Sequence, residues 1–251
     1  MEIQFVRHAT LIVRYHGATL LVDPMFGDPG SIPPVQNSPN PRPNPLVPLP
    51  RPASTLLEGV DAVLVTHTHR DHFDDAAAAL VPKHLPLFGQ PEDEAKFKGL
   101  GFTGVRPVAD VAQWAGIEVR RTSGRHGTGE VGRRMAPVSG FVLRAPEERT
   151  LYIAGDTIWC GAVEQALRIH APAVSVVNAG AAQFLEGGPI TMTAEDVAEV
   201  ARCAPEAAVI AVHMEAINHC ILTRAALAAS VAGTDLAVRV WIPRDGETAR
   251  Y

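Results

Sequence analysis

Cysteine is scarce in this chain: Cys160, Cys203 and Cys220 are the only three in 251 residues. An odd number at wide spacing excludes a disulfide framework and the paired-thiolate signature of a structural zinc site. A reducing, cytoplasmic setting is the simplest expectation from that usage. Long apolar runs are missing too, and without ~18 consecutive apolar residues no membrane span is expected. Positive charge is in the minority, with 22 Lys and Arg against 27 Asp and Glu, a net charge of −5. That balance argues against a broad nucleic-acid-binding face. The opening Met1-Glu2-Ile3-Gln4-Phe5 lacks the basic-then-apolar order of a secretory leader and reads as a first strand. What is present is a chain 47% hydrophobic, long enough to bury a sizeable core. It is read as one domain over residues 1–251, with self-association left open.

The most informative stretch is Thr66-His67-Thr68-His69-Arg70-Asp71-His72. Four metal-capable side chains lie within six positions, directly after the valine-rich run Val60–Val65, which reads as a buried strand. A helical metal motif sets its histidines at i and i+4. Here His-x-His suits an extended segment or tight turn, where residues two apart point the same way. Asp71 and His72 then enter an expected helix, Phe73–Leu80. Such a turn can aim two ligands at one ion and two at a neighbour. Imidazole and carboxylate donors without thiolate favour zinc, manganese or iron.

His67, His69, Asp71 and His72 resemble the signature of the metallo-β-lactamase superfamily. The resemblance extends along the chain, because plausible later ligands follow in order. His126 lies after the strand-like Ile117–Arg121, Asp156 follows the apolar Leu151–Ala154, and His213 closes Ala207–Val212. Each is a ligand where an apolar run stops, the kind of position where a rigid sheet holds functional side chains. The resemblance implies the superfamily's four-layer αββα sandwich, an α/β (α+β) fold. It also implies two divalent ions, zinc being the first expectation. His67, His69 and His126 would hold one, Asp71, His72 and His213 the other, with Asp156 bridging. Two such ions sharing a water supply a bridging hydroxide near neutral pH, with Asp71 and Asp156 orienting it and accepting its proton. His219, six residues beyond His213, is the candidate proton donor to a leaving group, with Tyr152 and Glu215 behind it. Asp23 resembles the family's first-motif aspartate, expected to hold the His67–His72 turn in shape.

Departures narrow the resemblance. His69 stands where the di-iron flavoprotein branch has Glu, and no chain remains for a flavin domain. No cysteine matches the thiolate ligand of one β-lactamase subgroup, and the short span from His72 to His126 leaves little room for the insert of the RNA-processing nucleases. Gly155-Asp156-Thr157 and Val212-His213-Met214 most resemble the hydrolases grouped with ascorbate-6-phosphate lactonase and the N-acyl-phosphatidylethanolamine phospholipase D group. The leading function is therefore a dinuclear hydrolase acting on a small-molecule ester, lactone or amide. Two alternatives stand beside it: a phosphodiesterase using the same centre, and a non-catalytic relative that only binds.

The rest of the chain fits that frame. Ile3–Arg7, Leu11–Tyr15 and Ala18–Val22 read as an opening antiparallel meander. Further strands are expected at Gly140–Arg144, Thr150–Ala154 and Ala173–Val177. Helical periodicity appears at Gln90–Lys98, Ala162–His170, Thr193–Ala204 and Thr223–Ala232, with Thr193 and Thr223 suited to capping. No internal repeat is visible. Pro24–Pro52 carries eleven prolines, which excludes helix and central strand. It reads either as a surface excursion or as a semi-rigid flap over the metal site, with Met25, Phe26, Ile32, Val35, Leu46 and Leu49 as an apolar underside. His8, after the first strand, reads first as a core or surface histidine and second as one facing the site. Arg120, Arg121, Arg125, Arg133 and Arg134 gather near His126. They read as a solvated run, or, turned inward, as a grip for an anionic substrate.

Overall fold

The computed structural model describes residues 1–251. Strands β1 (Glu2–Arg7), β2 (Thr10–Tyr15), β3 (Ala18–Val22), β4 (Ala62–Leu64), β5 (Leu87–Gly89) and β6 (Val105–Pro107) form one sheet in that order. A second sheet runs β7 (Val111–Trp114), β8 (Ile117–Ser123), β9 (Ser139–Arg144), β10 (Leu151–Ile153), β11 (Val174–Asn178), β12 (Ala208–Val212) and β13 (Val240–Trp241). Strand β14 (Thr248–Arg250) closes the first sheet against β1.

Period-two alternation explains the layers. Leu11, Val13 and Tyr15 of β2 point to one side with Leu20 and Val22 of β3, and they meet Phe141, Leu143, Ile153, Val176 and Ile210 of the other sheet in a core of 22 buried residues. The opposite faces are apolar as well. Ile12, Leu21, Val63 and Leu87 pack under Leu56 of α1 (Ala53–Leu56), Ala77 of α2 (Asp75–Leu80) and Phe97 of α3 (Glu94–Gly99). Val142, Tyr152, Val209 and Ala211 pack under Val163 of α5 (Gly161–His170), Val197 of α6 (Ala194–Cys203) and Leu227 of α7 (Arg224–Val231), while α4 (Gly129–Met135) lies with a small satellite cluster. The result is the expected αββα sandwich.

Local chemistry sets the helix ends. Thr193 and Asp196 form a reciprocal capping box on α6, and Thr223 caps α7. The helix expected from Phe73 instead starts at Asp75, because Asp74 accepts from Ala77 N as its N-cap and Phe73 is committed to the core. The expected Gln90–Lys98 helix is a 3₁₀ turn, Pro91–Asp93, followed by α3.

A repeat that the sequence does not display appears in the topology. Strands β1 to β6 pair antiparallel twice and then parallel three times, and β8 to β13 do the same. The carboxyl ends of β1, β3 and β4 therefore share one edge of their sheet, as do those of β8, β10, β11 and β12 in the other.

The proline-rich segment leaves β3 at Asp23 and contains no helix or named strand, only an isolated bridge between Ile32 and Asn44. Proline removes the donors with which a chain would pair with itself. Arg7 replaces them from outside: fully buried, it donates to the carbonyls of Val47 (2.9 Å), Met25 (2.8 Å) and Gly27 (3.0 Å). Burial pushes its guanidinium down to about 10, with Asp74 opposing, so the group stays charged at neutral pH.

Candidate metal centre

The side chains singled out in the sequence meet where those strand ends converge. The structure brings eight donors into two groups, each with its ligand atoms within 4.8 Å of one another: His8, Asp71, His72 and His213, and His67, His69, His126 and Asp156. Asp156 lies between them. Its Oδ1 faces His72 Nε2 and His213 Nε2 at 3.3 Å each, and its Oδ2 faces His126 Nε2 at 3.4 Å and His67 Nε2 at 3.8 Å. Gly155 makes this placement feasible. It sits at φ +67°, and a Cβ there would come within 2.4 Å of Ser139 O, so no other residue fits the turn that delivers Asp156.

The imidazoles are oriented from behind. His72 Nδ1 donates to Asp23 Oδ2 (2.8 Å), His126 Nδ1 donates to Ile190 O (2.7 Å), and His67 Nδ1 lies 3.1 Å from Thr66 Oγ1. His213 Nδ1 faces Cys220 Sγ at 3.6 Å. Each of these contacts engages Nδ1 and leaves the Nε2 lone pair pointing inward. His69 presents Nδ1 instead, 2.9 Å from His67 Nε2. Asp23 does the work expected of it: its Oδ1 accepts from Thr66 N (2.7 Å) and its Oδ2 from Thr66 Oγ1 (2.7 Å) as well as His72, pinning the turn at both ends.

These donors fit metal ions. His72 Nε2 and His213 Nε2 are buried without a hydrogen-bond partner, a costly state unless something accepts the lone pairs. Donors about 2.1 Å from a shared tetrahedral ion stand roughly 3.4 Å from one another, close to the separations around Asp156. Charge points the same way. Burial raises the Asp156 carboxyl, yet His213, His72 and His126 hold it well below the ordinary carboxylate range. Asp71 behaves alike, burial opposed by His72, His213 and His8. His72 is driven up despite its burial, because Asp156, Asp23 and Asp71 surround it. A cation bound there would take the place of that proton.

For His8 the second of the two readings holds: it is buried, and it belongs to the site. It is fully buried, at φ 60°, and lies at the site with its Nε2 3.0 Å from Asp71 Oδ2. Burial and His213 push it down to about 3, so it is a neutral imidazole whose Nε2–H donates to Asp71. Its carbonyl also accepts from His213 N (2.8 Å). The available signal was the meander itself, since β1 must end on the same side as β3. Asn178 was missed. It ends β11 and donates from Nδ2 to Asp156 Oδ1 at 2.7 Å.

A cleft of about 340 Å³ opens over the donors. His69, Asp71, His126 and Asp156 line its floor, and the proline-rich segment supplies one wall through Ile32, Pro33, Pro34, Val35 and Asn44. Met135, Phe184, Ile217 and His219 complete it. Of the residues expected on the underside of the segment only Ile32 and Val35 face the cleft; Phe26 and Leu49 join the core beneath the first sheet. His219 reaches the cleft, but burial pushes it down to about 4. It is therefore neutral at neutral pH, suited to donating a hydrogen bond rather than holding a spare proton. Tyr152 and Glu215 do not line the cleft: Tyr152 lies under α5, and Glu215 accepts from Arg224. The arginines near His126 turn outward. Arg120 meets Asp110 and Glu118, Arg121 meets Glu92, and Arg133 meets Glu130. Arg70, the one guanidinium on the cleft, pairs with Asp75 at 2.6 Å.

No helix is long and apolar enough to cross a membrane. A family model described as a beta-lactamase superfamily domain matches residues 18–214. The UPF0173 protein YddR of Bacillus subtilis is 40% identical over 254 residues, covering 100% of both chains. The UPF0173 metal-dependent hydrolase PAE2160 of Pyrobaculum aerophilum is 31% identical over 62% of each. Among solved structures, the isothiocyanate hydrolase from Delia radicum gut bacteria matches with a TM-score of 0.95 and 36% identity, covering 100% of this chain and 99% of its own.

Proposed function

The chain belongs to the beta-lactamase superfamily, in its UPF0173 family of metal-dependent hydrolases, and we propose that it uses two metal ions to hydrolyse small neutral molecules at an electrophilic carbon, organic isothiocyanates first among them. The observation that carries this reading is the cleft: carboxylates and imidazoles at its floor, an apolar wall above, and its only guanidinium already paired. A phosphodiester or other strongly anionic substrate would have only the two ions to hold it, because the cleft adds no guanidinium beyond Arg70, already paired with Asp75. A compact electrophile on an apolar tail needs no such grip and can use the apolar wall. Likeness to the isothiocyanate hydrolase over the full chain supports that choice. Esters, lactones and amides share the demand for a nucleophile at carbon and belong to the same proposal; the resemblance to ascorbate-6-phosphate lactonase and the N-acyl-phosphatidylethanolamine phospholipase D group is proposed only for the ligand signature, since phosphate-bearing substrates are the alternative to this reading.

Two divalent ions, zinc being the first expectation for this donor set, would acidify a water to hydroxide near neutral pH and polarise the substrate. His67, His69 and His126 would hold one ion, and Asp71, His72 and His213 the other, with one oxygen of Asp156 toward each. Asn178 and Asp23 keep Asp156 and His72 in place, and His8 fixes Asp71. Asp71, at the cleft floor, is placed to accept the proton of the attacking water. His219 offers a neutral N–H on the cleft wall, where it can hydrogen-bond the substrate heteroatom as charge develops. With an isothiocyanate, water adds at the central carbon, and cleavage of the carbon–nitrogen bond releases the amine and carbonyl sulfide.

The test is direct. Purified protein is incubated with alkyl and aryl isothiocyanates, alkyl esters, lactones and a bis-aryl phosphate, with and without chelator. Chelator-sensitive release of amine from the isothiocyanates is the expected result. Preference for the phosphate diester by orders of magnitude, or no chelator-sensitive turnover at all, overturns the proposal.

A further inference from the structure

Arg7 anchors the two ends of the proline-rich segment; the stretch that walls the cleft, residues 35–44, is fastened by the side chain of Asn218, with Leu185 N donating to Asn37 O beside it (2.8 Å). Asn218, 1% exposed, stands between Ile217 and His219, both of which line the cleft. Every polar atom of its side chain crosses to residues 35–44. Its Oδ1 accepts from Val35 N (2.9 Å) and Asn44 Nδ2 (2.8 Å). Its Nδ2 lies within donating distance of Ser38 Oγ (2.6 Å), Asn40 O (2.6 Å) and Val35 O (3.3 Å). Asn44 Oδ1 accepts in return from Asn218 N (2.8 Å). Asn44 also exchanges both backbone bonds with Ile32 at 2.7 Å, so the fastening reaches Ile32 as well as Val35.

The composition explains the need. Six of residues 33–45 are proline, so beyond the Ile32–Asn44 bridge at its base this stretch has too few N–H groups to extend a ladder. One amide from the loop after His213 supplies what the segment lacks. We infer that Asn218 is a specificity-determining positioning residue: by fixing Ile32 and Val35 over the cleft, it sets the apolar subsite that receives the substrate's tail. The inference rests on the proposed function for the bond that is broken, but it concerns only the tail.

The experiment compares the parent, Asn218→Ala and the milder Ser38→Ala, all metal-loaded, on n-alkyl isothiocyanates from methyl to hexyl and on the matching alkyl esters. In the parent, KM is expected to fall about 3- to 4-fold for each methylene buried. In Asn218→Ala that dependence is expected to flatten to less than about 2-fold per methylene, with metal content unchanged. Ser38→Ala should fall between the two. A variant that keeps the parental dependence on tail length, or one in which kcat falls equally on methyl and hexyl substrates with KM constant, overturns the inference. Should the parent hydrolyse neither series, it is the proposed function that fails. Hydrogen exchange at the Ile32 and Asn44 amides then decides: acceleration in Asn218→Ala, or in Ser38→Ala if the first does not fold, supports the fastening, and unchanged protection overturns it.

Discussion

The two halves of this molecule share a strand plan and use it differently. In each, the third strand ends in an aspartate just before the pairing turns parallel: Asp23 after β3, Asp156 three residues beyond β10. Asp23 commits both oxygens to the neighbouring turn, through Thr66 and His72. Asp156 accepts one bond from Asn178 and otherwise faces four imidazoles. The difference comes from what the next strand presents. Beyond β4 stands a hydroxyl and a backbone N–H within reach of Asp23. At the end of β11 stands only the Asn178 amide, so Asp156 is left to whatever binds the histidines. Equivalent backbone positions thus provide a scaffold on one side and a carboxylate that faces both groups of imidazoles on the other.

That contrast is sharpened most by removing the donors themselves. Asp156→Ala and His67→Ala are expected to lose hydrolysis by about 10³-fold or more, several kcal/mol at the transition state, and to lose bound metal by elemental analysis. Full metal content with normal rates in either would break the assignment. Asp23→Ala removes only the support of the turn, and should weaken metal affinity by about 10- to 100-fold while saturating metal restores most of the rate. If it costs as much as Asp156→Ala, the two aspartates are not different in kind.

Metal removal should act on the fold as well as on the rate. An ion present at 1,000 times its dissociation constant stabilises by about 4 kcal/mol, so chelation should lower the urea midpoint, and readdition should restore it. The stripped protein should then lose stability in mild acid. His8 at about 3 and His219 at about 4 lie below the ordinary histidine value of 6.5, so the unfolded chain binds their protons first. Their contribution is whole above pH 6.5 and is lost as pH falls toward 4, at up to about 1.4 kcal/mol per pH unit for each group. His72 shifts the other way and titrates above that window, so it adds no slope within it. Urea unfolding at pH 7, 6 and 5 measures the effect, and His219→Gln should make the dependence shallower. The smallest change is expected in turnover by His219→Ala: metal retained and the rate about 5-fold lower, the worth of one hydrogen bond of about 1 kcal/mol. An unchanged rate would remove His219 from the reaction.

Much of this was legible in the sequence because the site follows a simple grammar of apolar run, then polar residue. His67 to His72, Asp156 and His213 each obey it, and the apolar runs of β2 and β3 marked the opening meander. His8 obeys the same grammar at the end of β1, but a lone histidine there has no neighbour in sequence to mark it, and its partner Asp71 is 63 residues away. Asn178 was hidden for the same reason. The arginines near His126 formed a cluster along the chain, yet their carboxylate partners Glu92 and Asp110 come from other segments. The proline-rich stretch was the least readable. Proline abolishes the periodicity that assigns a face, so Ile32 could not be told from Phe26 until Arg7 and Asn218 were seen to hold the segment.

Those two anchors have a consequence for how such an enzyme changes over generations. Arg7 and Asn218 grip mostly main-chain atoms of the segment, and neither belongs to the donor set. The residues between the anchor points can therefore be rewritten, altering which molecules are admitted, while the machinery beneath stays as it was. Appetite and chemistry can drift apart in this architecture, with two side chains keeping the seam between them closed.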